Sequence, residues 1–336
     1  MGSLLPTTNA LTSALAVQRN GEKPADLNIR SVVLGDISFK TWYPSFYPEE
    51  LVGRNLDRLY VCQWCFKYSK DVMPYLAHIV RIHRLALRTR VLTKWYQKQC
   101  PGMNVSPPGR PTYERDLHAI YEVDGETHQL FAQNLSLFAK LFLDNKSIFF
   151  DVTSFNYYLL TYAPRGDDST HSFPQVIGFF SKEKMSWDNN NVACILVFPP
   201  WQRKGLGKIL MGVSYELSRR EDRIGGPEKP LSELGRKGYM QFWVARVART
   251  VLGLRNRSTA SVGELAERCW MLSEDVVGAL KEIGVIGCVK KPDGSVVVSK
   301  ARIREWVARS GVELTPPVSE QGFIDEWVPE ENGEEA

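Results

Sequence analysis

Apolar positions recur with two different periods along the chain, and the switch between them marks out its parts. From residue 156 to 200 the chain runs through "NYYLLTYA", "QVIGFFSKEK" and "NVACILVFPP". These short apolar or alternating runs predict strands, buried on both faces where the run is unbroken. The last stops at Pro199-Pro200, which cannot continue a ladder. Upstream, "LHAIYEVDGETHQLFAQ" (117–133) predicts two strands turning at Asp124-Gly125, and "SIFFDV" predicts another. "SFKTWYPSFYPEEL" (38–51) reads as an extended lead-in, "SPPGRPTYER" (106–115) as a rigid connector and "RGDDSTHSF" (165–173) as a polar loop. The period becomes helical in "NLSLFAKLFL" (134–143), "GKILMGVSYELSRREDRIG" (207–225) and "GYMQFWVARVARTVLGL". Residues 261–299 then read helix, turn, helix and a small hairpin at Asp293-Gly294, the outline of a winged helix-turn-helix. Residues 1–30 and the acidic stretch 315–336 are expected to be disordered tails.

Composition narrows the class. At 336 residues the chain holds one large domain or two ordinary ones, and 43% hydrophobic with 24% charged residues is ordinary for a globular protein. No apolar run approaches the roughly 18 residues of a membrane span, so no membrane role is expected. The N-terminus lacks a basic start followed by an apolar core and is not read as a secretion signal. Six cysteines therefore argue for reduced thiols and metal binding over a disulfide frame.

Two segments carry chemistry. In "CQWCFKYSKDVMPYLAH", Cys62, Cys65 and His78 stand as Cys-x2-Cys-x12-His, three of the four N/S ligands that zinc takes. The fourth is either His83, in a nucleic-acid-finger-like spacing, or Cys100. In "PPWQRKGLGKIL", Gly205 and Gly207 follow a buried strand and open a helix. Free N–H groups at the helix start, with Arg203, Lys204 and Lys208, suit a pyrophosphate.

"QRKGLG" (202–207) resembles the coenzyme A loop of the GNAT-type acetyltransferases. "LFAKLFLDNKSIFFDV", "VIGFFSKEK", "NVACILVFPPWQRKGLGKIL", "SYELSRRE" and "GGPEKPLSELG" together resemble the MYST histone acetyltransferases, from about Thr41 to Trp243 and more loosely beyond. "FLDNKS", "NNNVACILVFPP" and "GGPEKP" look most like the fungal SAS-type, silencing-related branch. The resemblance implies an α+β fold: a GNAT-like acetyl-CoA-binding core (116–243), an N-terminal segment with a zinc finger (31–115; finger 62–100) and a winged-helix-like C-terminal subdomain (244–314). It implies a nuclear enzyme that transfers acetyl from acetyl-CoA to a lysine of the histone H4 tail, at its sixteenth residue, on nucleosomes and with accessory subunits. Glu228 matches the general base, Cys194 the active-site cysteine, and Lys140 the lysine that the family autoacetylates. The backbone of Ile195 and Val197 would hold the pantetheine arm. Gln202, Arg203, Lys204, Gly205, Leu206, Gly207 and Lys208 would hold the pyrophosphate, and Ser232 would help position the coenzyme.

The family's finger closes as His-x3-Cys, whereas here that slot holds Ile82. Removing residues 80–97 restores the spacing, with Cys100 as the fourth ligand, and keeps the reading frame. Val80-Arg81 can be encoded GTACGT, Leu92-Thr93 can contain CTAAC and Tyr96-Gln97 can end in CAG, so the segment reads as a translated intron. It carries Arg81, Arg84, Arg88, Arg90 and Lys94 and no acidic residue, so its removal takes the net charge from +4 to −1. A real basic loop closing on Cys100, or His83 as ligand, are the alternatives. Three other functions stay open: an acetyltransferase of broader histone H4, H3 or non-histone range, a nucleic-acid-binding regulator using the finger and the helix-turn-helix, and an inactive acetyltransferase-like scaffold.

Overall fold

A computed structural model of the chain describes residues 27–79, 100–103, 105–163, 174–254, 259–285, 296–297 and 299–325. The N-terminal part is a small sheet of β1 (Ile29–Leu34), β2 (Ile37–Lys40), β3 (Leu56–Val61) and β4 (Tyr68–Ser69), in the order β2-β1-β3-β4, with the short helix α1 (Glu49–Val52) and α2 (Val72–Ile79). The central sheet contains β5 (Arg110–Arg115), β6 (His118–Asp124), β7 (Phe155–Tyr162), β8 (Gln175–Glu183) and β10 (Cys194–Val197), antiparallel in the order β10-β8-β7-β6-β5. Helix α3 (Gln129–Lys140) joins β6 to β7, and β9 (Asn190–Val192) precedes β10. Helix α4 (Leu206–Arg220) follows β10, and β11 (Gly226–Pro227) pairs in parallel with β9. The C-terminal part holds α5 (Glu233–Gly253), β12 (Thr259–Ala260), α6 (Val262–Cys269), α7 (Ser273–Ile283), β13 (Val296–Val297) and α8 (Lys300–Ser310), with β12 antiparallel to β13.

The central sheet is covered on both faces, which is why β7 reads as an unbroken apolar run. Tyr157 and Leu159 join the core shared with α3 and the N-terminal sheet, while Tyr158 and Leu160 face α4. In β8 the parity shifts. Val176 and Phe179 share the first face, Ile177 and Phe180 the second, because a bulge opposite Leu160/Thr161 adds a residue near Gly178. A Cβ on Gly178 would come within 2.8 Å of the Leu196 carbonyl oxygen, so glycine there lets β10 close on β8.

Several expectations are corrected. Asp124-Gly125 is not a hairpin: the Asp124 carboxylate accepts from the Glu126 and Thr127 amides and starts the turn into α3. The hairpin lies one strand earlier, β5 to β6 around Asp116 at φ 57°, so residues 110–115 are sheet and not connector. "SIFFDV" forms no strand; it ends in a turn in which the Val152 carbonyl accepts from the Phe155 amide, where β7 begins, and Val152 packs onto the α3 core. Because β5 belongs to the central sheet and α5 runs from 233 to 253, the expected boundaries at 115/116 and 243/244 cut through packed elements. Residues 27–30 are folded, with Ile29 buried in β1. Residues 315–325, assigned to the acidic tail, are packed: Phe323 is buried against Tyr113, ring centroids 4.9 Å apart. The hairpin tip at Asp293-Gly294, the loop 165–173, the segment 80–97, His83, and the terminal residues 1–26 and 326–336 lie outside the described residues. No helix among the described residues is long and apolar enough to cross a membrane.

Candidate active site and metal centre

Four ligand atoms converge at the end of the N-terminal sheet. Cys62 directly follows β3, Cys65 lies in the turn to β4, His78 lies in the last turn of α2, and Cys100 lies beside it. All four donor atoms lie within 4.8 Å of one another. Cys62 Sγ and Cys100 Sγ are 3.7 Å apart, and Cys65 Sγ lies 3.2 Å from His78 Nε2. Zn–S bonds of about 2.3 Å in a tetrahedron put neighbouring sulfurs roughly 3.8 Å apart, so the residues fit zinc. Hydrogen bonding to the Cys100 sulfur, and next to that of Cys65, pushes the His78 ring up to about 9; a metal ion would take the place of that ring proton. His78 Nδ1 is buried without a hydrogen-bond partner among the described residues, so Nε2 is the nitrogen facing the other ligands. The Cys100 amide donates to the His78 carbonyl at 3.0 Å. That is the bond a helix would draw from the residue four places after His78. Cys100 thus occupies the His-x3-Cys slot in space, though not in sequence.

The second site forms where the sheet splits. The ladder breaks at Ala193: β9 leaves β8 to pair with β11, while β10 stays on β8. Phe198 donates to the Ile177 carbonyl, so residues at even positions of β10 bond to β8. Ile195 and Val197 then turn their backbone groups to the open edge. The Val197 carbonyl already accepts from the Gln202 side-chain amide at 2.8 Å. Beyond a single turn at Pro199–Trp201, Arg203 (φ 63°) and Gly205 (φ 78°) adopt left-handed backbone to start α4 at Leu206. Arg203, Lys204 and Lys208 are exposed around this start. A Cβ on Gly205 or Gly207 would meet nothing within 4 Å. Both positions thus face open space, and only Gly205, at positive φ, is held to glycine by its backbone.

Cys194 opens β10, half-buried, and Glu228 follows β11 with its amide donating to the Val192 carbonyl at 2.8 Å. The split thus brings both residues to the ends of neighbouring strands. Glu228 is exposed rather than buried, yet partial burial and then the nearby Glu183 raise its carboxyl above the usual range. Lys140 ends α3 buried, with Nζ donating to the Asp144 carbonyl at 2.6 Å and lying 5.7 Å from the Phe46 ring centre. Burial pushes this ammonium down. The amine that reaches Cys194 is that of Lys146, buried, with Nζ 3.9 Å from Sγ. Sequence reading missed Lys146 and Glu183; both lie inside quoted blocks, "FLDNKS" and "GFFSKEK", but a charged residue in a short polar turn or at a strand end carries no signal of its own. Tyr157 also faces this centre: its hydroxyl, 3.0 Å from Ser136 Oγ, is pushed up to about 12 by burial, with a smaller contribution from Cys194. Ser232 caps α5, its hydroxyl accepting from the Gly235 amide at 3.1 Å.

A splayed antiparallel sheet with a glycine loop opening a helix at the split, joined to a Cys3His finger, defines a class, and comparison with known proteins agrees. The MOZ/SAS family model matches residues 106–320, and the MYST family zinc finger domain model matches residues 27–82. The chain belongs to the MOZ/SAS family of MYST proteins. It is similar to the histone acetyltransferase Tip60 homolog of Caenorhabditis elegans, 32% identical over 310 residues, covering 91% of this chain and 61% of that protein. It is also similar to the histone acetyltransferase MOF of Drosophila melanogaster, 38% identical over 276 residues (81% and 30%). A third relative is the histone acetyltransferase mst1 of Schizosaccharomyces pombe, 34% identical over 274 residues (82% and 53%). The chain thus spans less than two thirds of the length of these relatives.

Proposed function

We propose that the chain is a nuclear histone lysine acetyltransferase using acetyl-CoA, with the histone H4 tail as acceptor and its sixteenth residue as the preferred lysine. The observation that carries this reading is the open edge of β10 running into the open helix start at Gly205–Lys208, with Glu228 and Cys194 at the adjacent strand ends. The Ile195 and Val197 backbone would hold the pantetheine arm by ladder-like bonds. The pyrophosphate would sit on the loop from Gln202 through Lys208, with Leu206 and Gly207 offering free amides and Arg203, Lys204 and Lys208 offering charge. Ser232, its oxygen lone pair already engaged in the cap, keeps an O–H to offer the coenzyme.

In the reaction Glu228 takes a proton from the acceptor ammonium, and the free amine attacks the thioester carbonyl carbon. The C–N bond forms, the C–S bond breaks, and the nitrogen gives up its second proton to the departing coenzyme thiolate. A carboxyl raised by partial burial and Glu183 holds a proton at a pH closer to that of the amine it serves, which favours the transfer. Cys194 would pack beside the thioester or relay the acetyl group, and Lys140 would be the autoacetylated lysine, its charge already costly where it is buried. Zinc held by Cys62, Cys65, His78 and Cys100 would brace the finger and take no part in the chemistry. The SAS-type features of the sequence favour a silencing-type complex with accessory subunits.

The test is transfer from labelled acetyl-CoA to an H4-tail peptide and to nucleosomes, with Glu228→Gln alongside. Transfer confined to the unsubstituted chain supports the reading. A folded, zinc-loaded chain that transfers to neither acceptor, with or without nuclear extract as a source of subunits, overturns it.

A further inference from the structure

A polar cavity lies between α4, α5, α6 and the C-terminal segment, lined by none of the residues assigned to the acetyl-transfer site. It measures about 280 Å³ and is lined by Gly212 of α4, Arg246 and Arg249 of α5, Arg268 of α6, and Pro317 and Val318 of the C-terminal segment. It exists because that segment crosses α4 at Gly212: a Cβ there would come within 2.9 Å of the Val318 side chain.

Its charges do not balance internally. Glu216 and Glu320 also reach the rim, but Glu216 is held by Arg219 and Arg220, and Glu320 by Arg219. Arg268 pairs with Glu264 at 3.1 Å. Arg246 and Arg249 have no carboxylate within ion-pair distance among the described residues. Arg246 spends Nε on the Cys269 carbonyl at 2.6 Å and lies 5.3 Å from the Tyr215 ring centre. Arg249 spends Nη1 on the Leu314 carbonyl at 3.0 Å. One helical turn apart, each keeps part of its guanidinium fork uncommitted among the described residues. Burial pushes both down, and for Arg249 the like charge of Arg246 adds to this. Two half-buried guanidinium groups one turn apart favour an anion between them, although Glu216 already offsets part of the charge at Arg246. A phosphate group carries about −1.5 to −2 at neutral pH and matches the fork bidentately.

We propose that this cleft is a binding site for a small phosphate-bearing ligand, separate from the glycine loop and independent of the acetyl-transfer reading. A ligand there would tie α5 to the C-terminal segment.

Inorganic pyrophosphate is the probe. Because it would also reach the glycine loop, calorimetry is run on the full chain carrying Arg203→Ala and Lys208→Ala. Binding of one equivalent that persists in this background, and weakens at least tenfold when Arg249→Gln is added, is the expected result. No binding in the background, or equal affinity with and without Arg249→Gln, overturns the proposal. Should Arg249→Gln fail to fold, the unsubstituted chain is treated with phenylglyoxal and its arginines mapped by mass spectrometry. Pyrophosphate is expected to protect Arg246 and Arg249; protection at Arg203 alone overturns the site.

Discussion

At the scale of single residues the chemistry turns on which charged groups meet. Glu228 sits beside Glu183, and its carboxyl is raised by partial burial first and by that neighbour second. A base works only when deprotonated, so transfer should rise with pH through the Glu228 titration. Replacing Glu183 with Gln removes a negative neighbour, makes the Glu228 carboxylate easier to form and should move the acid limb of kcat/KM to lower pH; an unmoved or upward-shifted limb would sever the pair. Glu228→Gln should lower kcat by roughly 10²–10⁴-fold, the usual contribution of a general base, with thermal melting unchanged because the side chain is exposed. The two lysines of the "KLFLDNK" block make a second contrast. Lys146 is 3.9 Å from the Cys194 sulfur, whereas Lys140 is held by carbonyl oxygens. Lys146→Met should change the rate at which iodoacetamide labels Cys194 by roughly tenfold, in line with the loss of a hydrogen bond to a charged group, while Lys140→Met should leave it within about twofold. The identities of these groups stand in the sequence, but the pairings do not. Glu183 acts on Glu228, and Lys146 reaches Cys194, across separations of about 45 residues in the chain, which no local pattern reports.

At the scale of elements, periodicity served well where one rule governed a segment and failed where two competed. The double-faced run of β7 and the helical spacing of α4 and α5 were legible. Asp124-Gly125 was misread because its hairpin signal is the same signal that starts a helix: an Asp side chain capping the next two amides. The strand β5 was hidden by Pro111 within it and Gly109 just before it, and an edge strand tolerates such a Pro. The finger was legible as ligand chemistry, and space supplies what spacing lacks, since Cys100 bonds the His78 carbonyl as a residue at position 82 would. Deleting residues 80–97 makes that contact an ordinary helical one. The shortened chain should bind one zinc per chain and melt within a few degrees of the full chain. Cys100→Ser should lose zinc under mild chelation and His83→Ala should not. Loss of zinc on deletion, or on His83→Ala, would make the intervening segment part of the site.

At the scale of the whole molecule, the finger sheet and the C-terminal segment clasp the same central sheet from opposite faces. Phe66, next to Cys65 of the finger, packs on Phe131, Phe138 and Phe198, which connects the finger to α3 and to the strand end that launches the glycine loop. On the other face the chain returns after α8 to lay Val318 over α4 and Phe323 against Tyr113 of β5, with Ile324 donating to the Thr112 carbonyl. Arg220 of α4 covers the Phe323 ring at 4.5 Å and pairs with Asp325. Acidic composition suggested a solvated tail here, because a single aromatic anchor among polar residues leaves no periodic trace. The packing makes the opposite demand. Phe323→Ala should destabilise the chain by about 3 kcal/mol, the order seen when a buried aromatic is removed, measured by urea denaturation. Asp325→Asn, which removes only an exposed ion pair, should cost under about 1 kcal/mol. Because Val318 walls the arginine cleft and Phe323 anchors the segment carrying it, Phe323→Ala should also weaken pyrophosphate binding in the Arg203→Ala, Lys208→Ala background while leaving Arg246 and Arg249 in place. Full affinity in a chain destabilised as expected would mean that α5 alone holds the anion, with the segment serving only the fold.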